Sequence, residues 1–305
     1  MPTGRRFRLG SGLTDRGAPP AAVAPDATRV APVYPRPGRR YPGALAEQGR
    51  STFSVADARE VARSVGVAAS YLSVLLHRLQ RAGFIRRLKH GAYALTTGLP
   101  GFPEAHPFAL GMALVQPSAI SGWTALNHHG LTEQIPRVIT LTTPKRVVTP
   151  AMRGAVRTAP ATWEVAGQTF EIVAVVPDHF FGDEEIWLDQ SRVRMFDRER
   201  ALLDCFALPR RFGGIAEGRG ILEEHLQQLN LERLVAHAER YGKATLARRM
   251  GYALERVGAP AEVVEPLRAV RMQGIRPLDP TKPARGERNS RWGLIENLAP
   301  PRRAT

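Results

Sequence analysis

Cysteine is nearly absent: Cys205 is the only one in the 305 residues, so no disulfide can form within the chain. This usage is typical of a reducing cytoplasm. The chain also lacks a run of about 18 apolar residues that could span a bilayer, and no apolar signal-peptide core follows its N-terminal arginines. We therefore expect a soluble, cytoplasmic protein with no membrane partner. Because Cys205 lies in the apolar segment ALLDCFAL, we interpret it as a packed core thiol, not a nucleophile.

Signatures of catalysis and of metal binding are missing as well. The sequence contains no P-loop, no dinucleotide-binding glycine pattern and no serine-centred elbow. His128 and His129 are adjacent, without the second spaced pair of ligands that a zinc site needs. The acidic run at 183–185 is followed by Ile186 and Trp187, where a nuclease would need a lysine, so we interpret this run as a solvated loop. We expect no catalytic residue, no cofactor and no bound metal.

Lysine is scarce, because nearly all of the 43 basic residues are arginine. Residues 1–100 hold 16 basic and 5 acidic residues, a net charge of +11. Residues 101–260 hold 18 of each, and residues 261–305 hold 9 and 5. The excess positive charge therefore lies in the first third of the chain, which indicates a polyanion partner. A genomic bias towards arginine would also raise the total charge, and composition alone does not separate these two causes.

Residues 53–95 have the pattern of two helices, a tight turn and a basic hairpin. The segment Val55–Val65 (VADAREVARSV) is short and helix-prone, and Gly66 is well placed to end it. The segment Val67–Ala82 (VAASYLSVLLHRLQRA) predicts the second helix, which Gly83 ends.

The second predicted helix is amphipathic. Its apolar stripe recurs at i, i+3, i+4 and i+7 and consists of Leu72, Leu75, Leu76 and Leu79. Its other side carries short groups near the N-terminal end and positive charges near the C-terminal end: Ser70, Tyr71, Ser73, Val74, His77, Arg78 and Arg81. The short groups would reach base edges in the major groove, and the arginines would contact phosphates.

The segment Ile85–Leu95 (IRRLKHGAYAL) predicts two short strands around a Lys-His-Gly turn. It adds four side chains that would hold the DNA backbone: Arg86, Arg87, Lys89 and His90. Helix, turn, helix and basic β-wing, in this order, predict a winged helix-turn-helix module that binds double-stranded DNA. The alternative is a small helical module with a solvated basic face; the hairpin and the charge balance favour DNA binding.

Composition divides the chain into five segments. We predict a disordered basic arm at residues 1–37, the winged module at 38–97, a Gly/Pro-rich linker at 98–107, a second domain at 108–265 and a loosely held Pro/Arg-rich tail at 266–305.

The winged module should begin with a helix within Arg39–Gly49, and the second domain should place strands before most of its helices. Two helices are predicted first, at Phe108–Val115 and Ser121–His129. Strands of period two follow at Val138–Thr142, Thr169–Val176 and Val193–Phe196, with Glu185–Leu188 as a further candidate. Later helices are predicted at Arg198–Leu208 after an N-cap at Asp197, and at Ile221–Leu229, Leu231–Tyr241 and Ala244–Val257. This order predicts an α+β fold, in which a larger α/β domain with a mostly antiparallel sheet and C-terminal helices follows the winged domain.

Three phrases of the second domain carry a family resemblance: SGWTALNHHGLTEQIP (121–136), VRMFDRERALLDCFALPRRFGG (193–214) and LVAHAERYGKATLARRMGYALE (234–255). With the winged module before them, they make the chain resemble the AbiEi-type antitoxins of type IV toxin–antitoxin (abortive infection) systems over residues 40–260. The runs DRERALLD and RRMGYALE are specific in combination, whereas either alone would be weak.

The resemblance implies a winged domain that represses the antitoxin–toxin operon by binding promoter repeats, and a C-terminal domain that neutralises toxicity. The usual cognate toxin is a nucleotidyltransferase-like protein, and neutralisation in this scheme is thought to need no stable complex with it. The DNA contacts of the family carry over onto the helix and wing positions given above. The antitoxin-domain motif carries over onto Asp197, Arg198, Arg200, Asp204, Arg248 and Arg249.

The motif residues have a structural and a functional interpretation. Arg200 and Asp204 are an i, i+4 pair on the helix that Asp197 would cap, which predicts an ion pair fixing this helix against the sheet. The alternative is a surface required for antitoxicity, and we favour the structural interpretation. Arg248 and Arg249 fit a basic patch or a solvated helix face equally well.

Two other function classes stay open. Because the arm and the tail extend beyond the family core, the chain also fits a stand-alone winged-helix regulator whose C-terminal domain senses a ligand or a protein partner. The third class is a nuclease that uses the winged module for targeting, which would require metal-dependent cleavage at the acidic run.

Overall fold

The computed structural model describes residues 37–96, 104–153, 161–189 and 191–298, except for the side chains of residues 37–40. The predicted arm up to residue 36 and the predicted linker up to residue 103 lie outside these ranges, whereas Pro37, the last residue assigned to the arm, begins α1. The helices are α1 (Pro37–Glu47), α2 (Val55–Ser64), α3 (Leu72–Arg81), α4 (Pro107–Leu114), α5 (Gly122–His128), α6 (Arg198–Ala207), α7 (Ile215–His225), α8 (Leu231–Tyr241), α9 (Ala244–Arg256) and α10 (Ala261–Ala269). The strands are β1 (Thr52–Ser54), β2 (Ile85–Lys89), β3 (Ala92–Leu95), β4 (Ala119–Ile120), β5 (Val138–Thr143), β6 (Thr162–Val165), β7 (Gln168–Ala174), β8 (Asp183–Leu188), β9 (Ser191–Phe196), β10 (Arg276–Pro277), β11 (Glu287–Asn289) and β12 (Leu294–Glu296). The α+β fold is confirmed.

The winged module is built from α1–α3 and a three-stranded sheet of order β1-β3-β2. Its core consists mainly of Leu, Val and Ala side chains from the three helices, closed by Phe53 and Ile85 from the sheet. The Tyr41 hydroxyl donates a 2.6 Å hydrogen bond to the Ala58 carbonyl, which ties α1 to α2. Strand β1 was not predicted, because three residues are too few to show a period of two.

We call the described residues from 104 to 298 the body. The body contains a six-stranded sheet of order β6-β7-β5-β4-β9-β8. The pairs β4–β5, β6–β7 and β8–β9 are antiparallel, whereas β4–β9 and β5–β7 are parallel. Helix α6 packs against α5, α7, α8 and α9, and its residues from Ala201 to Phe206 are all buried. This helix is therefore the centre around which the body's helices assemble.

Two expectations about the elements of the body need correction, and one strand was not predicted. The acidic residues 183–185 begin strand β8 and do not form a solvated loop, because Asp183 and Glu185 pair with Arg194 and Arg192 on the adjacent strand β9. Helix α7 begins at Ile215, six residues before the predicted start at Ile221. Strand β6 was not predicted; its residues are only partly buried or exposed.

The predicted loose tail is wrong for residues 266–298. Helix α10 packs on α9, and strands β10–β12 form a small sheet of order β10-β12-β11. Trp292 is 0 % exposed, and its indole N–H donates to Glu255 Oε2 at 2.6 Å. The tail therefore completes the main core, through contacts between residues that lie far apart in the chain.

The winged sheet packs directly on the body. Leu88 and Ala94 of this sheet belong to the same buried cluster as the residues of α4 and the large sheet. At the edge of this contact, the Ser51 and Ser191 hydroxyls lie 3.1 Å apart, and the Ser191 hydroxyl also accepts the backbone N–H of His106 at 3.3 Å. The described residues from 37 to 298 form one compact unit, and the division into domains at 98–107 stays a prediction.

Candidate nucleic-acid interface

Helix α2 begins and ends as its sequence predicts. The Ser54 hydroxyl accepts the Asp57 backbone N–H at 3.2 Å, and Asp57 Oδ2 accepts the Ser54 backbone N–H at 2.7 Å, which is a capping box. At the other end Gly66 has φ +73°, and the Val67 N–H bonds back to the Ala62 carbonyl at 2.8 Å. The turn between the two helices is therefore held by backbone hydrogen bonds.

Helix α3 starts later than predicted. Val67 is bound in the turn that closes α2, and Ala68 is extended, so a single 3₁₀ turn at Ala69–Tyr71 precedes the first α-helical residue, Leu72. Ser70 and Tyr71 consequently lie in this turn and not on the helix.

Helix α3 has the predicted two-sided character. The apolar stripe is buried: Leu72, Leu75, Leu76 and Leu79. The predicted reading side chains are all exposed: Ser70, Tyr71, Ser73, Val74, His77, Arg78 and Arg81. Arg78 Nη1 donates to the Tyr71 hydroxyl at 2.7 Å, and its guanidinium lies 5.7 Å from the centre of the Tyr71 ring. Arg78 is thus held at the N-terminal end of the exposed face.

In the wing, the side chains of Arg86, Arg87 and His90 are exposed. Arg87 Nε donates to the Lys89 carbonyl at 3.3 Å, and Arg87 Nη2 lies 3.0 Å from His90 Nδ1. The turn between the strands uses Gly91 at φ +76°, a conformation that favours glycine. Arg87 therefore braces the tip of the wing while its charge stays in solvent.

Lys89 does not join the other wing cations. Its ammonium donates a 2.6 Å hydrogen bond to the carbonyl of Leu114, at the C-terminal end of α4. Burial, and then the charge of Lys145, lower the pKa of the Lys89 amine. The expectation that Lys89 grips the DNA backbone therefore does not fit this structure, because the wing packs on the body at this residue.

An open groove runs between α2, α3 and the wing. Its lining includes Arg59 of α2, Ser73, His77 and Gln80 of α3, and Arg87 of the wing. Arg59 of α2 was not among the residues predicted to contact DNA; its positive charge on the helix that precedes α3 was the available signal. The groove brings polar side chains of α3 together with arginines of two neighbouring elements.

The charge of this surface is not neutralised by the acids near it. Asp57 and Glu60 of α2 both pair with Arg50, at 3.0 and 2.8 Å. Within the described ranges, no carboxylate lies within ion-pair distance of the exposed arginines of this surface, which are Arg59, Arg78, Arg81, Arg86 and Arg87. The surface is therefore positive, and it matches a polyanion in charge.

The residues of the antitoxin-domain motif are mostly buried and structural. Asp197 caps α6 by accepting the Arg200 backbone N–H at 2.7 Å, and its other oxygen lies 2.9 Å from His237 Nε2. The predicted cap and the predicted Arg200–Asp204 ion pair are both confirmed. Burial raises the pKa of Asp204, although Arg200 opposes this shift.

Arg200 lies inside an aromatic cage. Its side chain is 1 % exposed, and its guanidinium lies 4.5 Å from the centre of the Phe196 ring, 5.0 Å from that of Phe181 and 5.4 Å from that of Tyr241. Arg200 Nη2 also donates to the His179 carbonyl at 3.1 Å. The pair with Asp204 is therefore part of the core and presents no surface to a partner.

The other motif arginines form neither a basic patch nor a solvated helix face. Arg249 is buried and donates to the Pro277 carbonyl at 3.1 Å, and burial lowers its pKa. Arg248 is half-buried and donates to the Arg291 carbonyl at 3.2 Å. Arg198 donates to the Gln228 carbonyl at 2.9 Å. These side chains hold the helices of the body to one another and to the tail.

The remaining candidate residues also have packing roles. Cys205 is buried, as predicted, and burial raises the pKa of its thiol. His129 Nε2 lies 2.7 Å from the Phe196 carbonyl, and the His128 ring packs edge-on against Phe108. Across the described ranges, no three His, Cys, Asp or Glu side chains come close enough to hold a metal ion.

The order helix, turn, helix and wing, with a positive outer face, defines a winged helix-turn-helix module of the DNA-binding class. Residues 44–96, which span most of this module, match the family model described as "Transcriptional regulator, AbiEi antitoxin". This match confirms, for the winged module, the resemblance noted in the sequence. No curated protein matches the chain.

The fold as a whole is similar to that in the crystal structure of the RV2827C protein from Mycobacterium tuberculosis. The TM-score is 0.54 at 16 % sequence identity, and the match covers 87 % of this chain and 92 % of that chain. At this identity the similarity concerns the fold alone. In the parts of the chain that the structure describes, every helix is too short or too polar to cross a membrane.

Proposed function

We propose that this protein is a DNA-binding antitoxin that represses its own operon and acts in the cytoplasm without catalysing a reaction. The observation that carries the proposal is the exposed face of α3 beside a wing of unpaired arginines. Side chains at Ser73, Val74 and His77 have the size and polarity to read base edges. The arginines of α3 and of the wing add the charge that attracts the duplex. Bound at promoter repeats, the module would block transcription by occupying the site.

Salt-titrated fluorescence anisotropy on the duplex upstream of the gene tests the DNA half of the proposal. We expect the logarithm of the binding constant to fall linearly with the logarithm of salt concentration. Arg86→Ala should weaken binding to every sequence and reduce the slope by about one. Ser73→Ala should instead change the base preference and leave the slope unchanged. Full-length protein that ignores its upstream duplex at low salt would refute the repressor.

The antitoxin half rests on the resemblance and on the family match at residues 44–96. The proposed partner is a nucleotidyltransferase-like toxin encoded beside this gene, which the antitoxin neutralises without forming a stable complex. Co-expression with the toxin should restore growth, and mixing the two purified proteins should yield separate peaks in size-exclusion chromatography. A full-length variant with Arg78→Ala, Arg81→Ala and Arg86→Ala should still restore growth, because the body carries this activity.

The proposed repressor activity and the proposed antitoxin activity can be refuted separately. A protein that binds its operator but never restores growth would be a stand-alone regulator. A protein that restores growth only while its DNA-binding face is intact would be neutralising through repression of toxin expression. Metal-dependent cleavage of labelled DNA, lost in Glu185→Ala, would establish a nuclease instead of either.

A further inference from the structure

A loop of the body carries two exposed cations next to the wing. Lys145 and Arg146 follow β5, and both side chains are exposed. Among the residues that the structure describes, no carboxylate lies within ion-pair distance of either one. The amino-acid pattern of residues 101–260, with equal numbers of acids and bases, gave no reason to expect a positive surface there.

Strand pairing fixes where this loop lies. Strand β4 starts after the turn at residues 115–118 that follows α4, and it runs antiparallel to β5, with Ala119 opposite Thr142. The Thr143 hydroxyl donates to the Pro117 carbonyl at 2.6 Å and accepts the Lys145 backbone N–H at 3.2 Å. The loop that begins at Lys145 is therefore bound to the turn after α4.

The wing contacts the residue just before this turn. Lys89 of β2 donates to the carbonyl of Leu114, the last residue of α4, and Leu88 packs in the core beside it. The wing and the loop at 145–146 thus contact neighbouring points on one segment of the body. The electrostatics agree with this proximity, because the charge of Lys145 adds to the effect of burial in lowering the pKa of the Lys89 amine.

We infer that Lys145 and Arg146 form a second phosphate-binding element, which contacts the DNA backbone beside the wing. The ligand is the phosphodiester backbone of the same duplex that α3 reads, so this inference rests on the proposed function. The charge of Lys145 acts on Lys89 of the wing, and like charges at this distance repel one another, so a polyanion bound here would relieve the repulsion. Because the wing is packed on α4, both elements would meet the duplex in a fixed relative position.

The test uses full-length protein and the upstream duplex in salt-titrated anisotropy. The variant Lys145→Ala/Arg146→Ala removes both charges from an exposed loop, and thermal unfolding checks that the fold persists. If each side chain contacts one phosphate, the slope should fall by about two, and the loss of affinity between about 50 and about 200 mM salt should shrink about tenfold. The sequence preference should stay that of the parent protein.

Two further variants make the result specific. Arg86→Ala/Arg87→Ala, on the wing, is the positive control. Lys282→Ala/Arg285→Ala removes the same charge from exposed positions in the tail, and it should leave the slope at the parent value. If the wing variant lowers the slope and Lys145→Ala/Arg146→Ala does not, the inference is wrong while the proposed function stands. If the tail variant lowers the slope as much, the effect is one of net charge and the inference is also wrong. A parent protein that binds no duplex would overturn both.

Discussion

Asp279 caps a helix that begins 64 residues earlier, because its Oδ2 accepts the backbone N–H of Ile215 at 3.1 Å. The carboxylate is 0 % exposed, and its Oδ1 accepts the backbone N–H of Thr281 at 2.8 Å. Gly214, the residue before α7, has φ +122°, and a Cβ at this position would lie 2.5 Å from Asp279 Oδ2. The tail is thus joined to the start of α7 by a buried charge and a close backbone approach.

We expect Asp279→Ala to lower the free energy of unfolding by about 2 kcal/mol, because it removes a cap and leaves buried N–H groups without an acceptor. Urea denaturation measures the loss. Asn230→Ala is the matched control, because Asn230 caps α8 at an exposed position by accepting the Arg233 N–H at 2.9 Å. Its cost should be smaller, about 1 kcal/mol. Equal losses would mean that the tail contact adds nothing to an ordinary cap.

A second prediction concerns two helical glycines in different surroundings. A Cβ on Gly251 of α9 would lie 2.3 Å from the Trp292 ring, whereas a Cβ on Gly220 of α7 would meet nothing within 4 Å. Gly251→Ala should therefore destabilise the protein by about 1–3 kcal/mol through overpacking. Gly220→Ala should stabilise it by about 0.5–1 kcal/mol, because alanine is the better helix former. Thermal unfolding of both variants compares them, and the same sign for both would contradict the position of the tail.

The Arg200–Asp204 pair allows a test of the structural interpretation of the antitoxin-domain motif. Arg200→Met or Asp204→Leu alone should cost about 3–5 kcal/mol, because each leaves a buried charge without its partner. The double variant should cost less than the sum of the single variants, by about 1–3 kcal/mol. Urea denaturation of the four proteins completes the cycle.

The control for this cycle is the exposed pair Arg268–Glu265, whose removal should change stability little. If the Arg200 and Asp204 variants are additive, the two side chains do not interact as the structure has them. If a single variant fails to fold, the double variant still tests the interaction. A double variant that folds would show that Arg200 and Asp204 depend on each other.

Substitutions of Lys89 and of Arg86 should have opposite effects: the first should lower stability, and the second should weaken DNA binding. Lys89→Met keeps the aliphatic stem and removes the hydrogen bond to the Leu114 carbonyl, so stability should fall by about 1 kcal/mol. The salt slope of DNA binding should then stay unchanged. Arg86→Ala should reduce the slope by about one and leave stability unchanged. A reduced slope for Lys89→Met would restore the original expectation that Lys89 contacts phosphate.

The capping carboxylate of α6 should make stability depend on pH. Burial tends to raise the pKa of Asp197, but the hydrogen bonds from His237 and from the Arg200 backbone N–H outweigh it, and the pKa lies below the usual 3.8. A carboxyl with a depressed pKa in the folded state contributes stability above its unfolded value and loses it as the pH falls through the folded one. Asp197→Asn should therefore be less stable than the parent at neutral pH.

Urea denaturation of both proteins at a series of pH values tests this expectation. The difference between parent and variant should shrink as the pH falls below 3.8. The other titrating groups are common to both proteins, so the difference isolates this site. Asn230→Ala removes a cap that carries no charge, so its difference from the parent should not follow this trend. A difference that is constant across the pH range would show that the charge of Asp197 does not matter to the fold.

Local patterns in the sequence predicted much of the structure of α3, of α6 and of the wing. The leucine stripe of α3 is buried because its spacing matches the period of a helix, which neighbouring residues alone determine. The cap at Asp197 and the pair Arg200–Asp204 were predictable for the same reason, since each spans a single helical turn. The wing strands were predictable from a short hairpin whose partners adjoin in the chain.

The errors arose where a contact joins distant parts of the chain. From the sequence, Lys89 is expected to be a surface cation. It donates to the Leu114 carbonyl only because the winged sheet packs on α4. Arg249 fits a basic patch in the sequence, and only the position of the tail buries it against Pro277.

The sequence by itself determined the class of module at the N-terminal end, its apolar stripe and the sign of its charge, because each depends on residues within a few helical turns. Tertiary structure alone decided which of the described cations remain free, that the tail closes the core over Trp292, and that the loop at Lys145 and the wing meet at the end of α4. These outcomes depend on burial and on the charges of residues tens of positions away, so the local sequence pattern does not predict them.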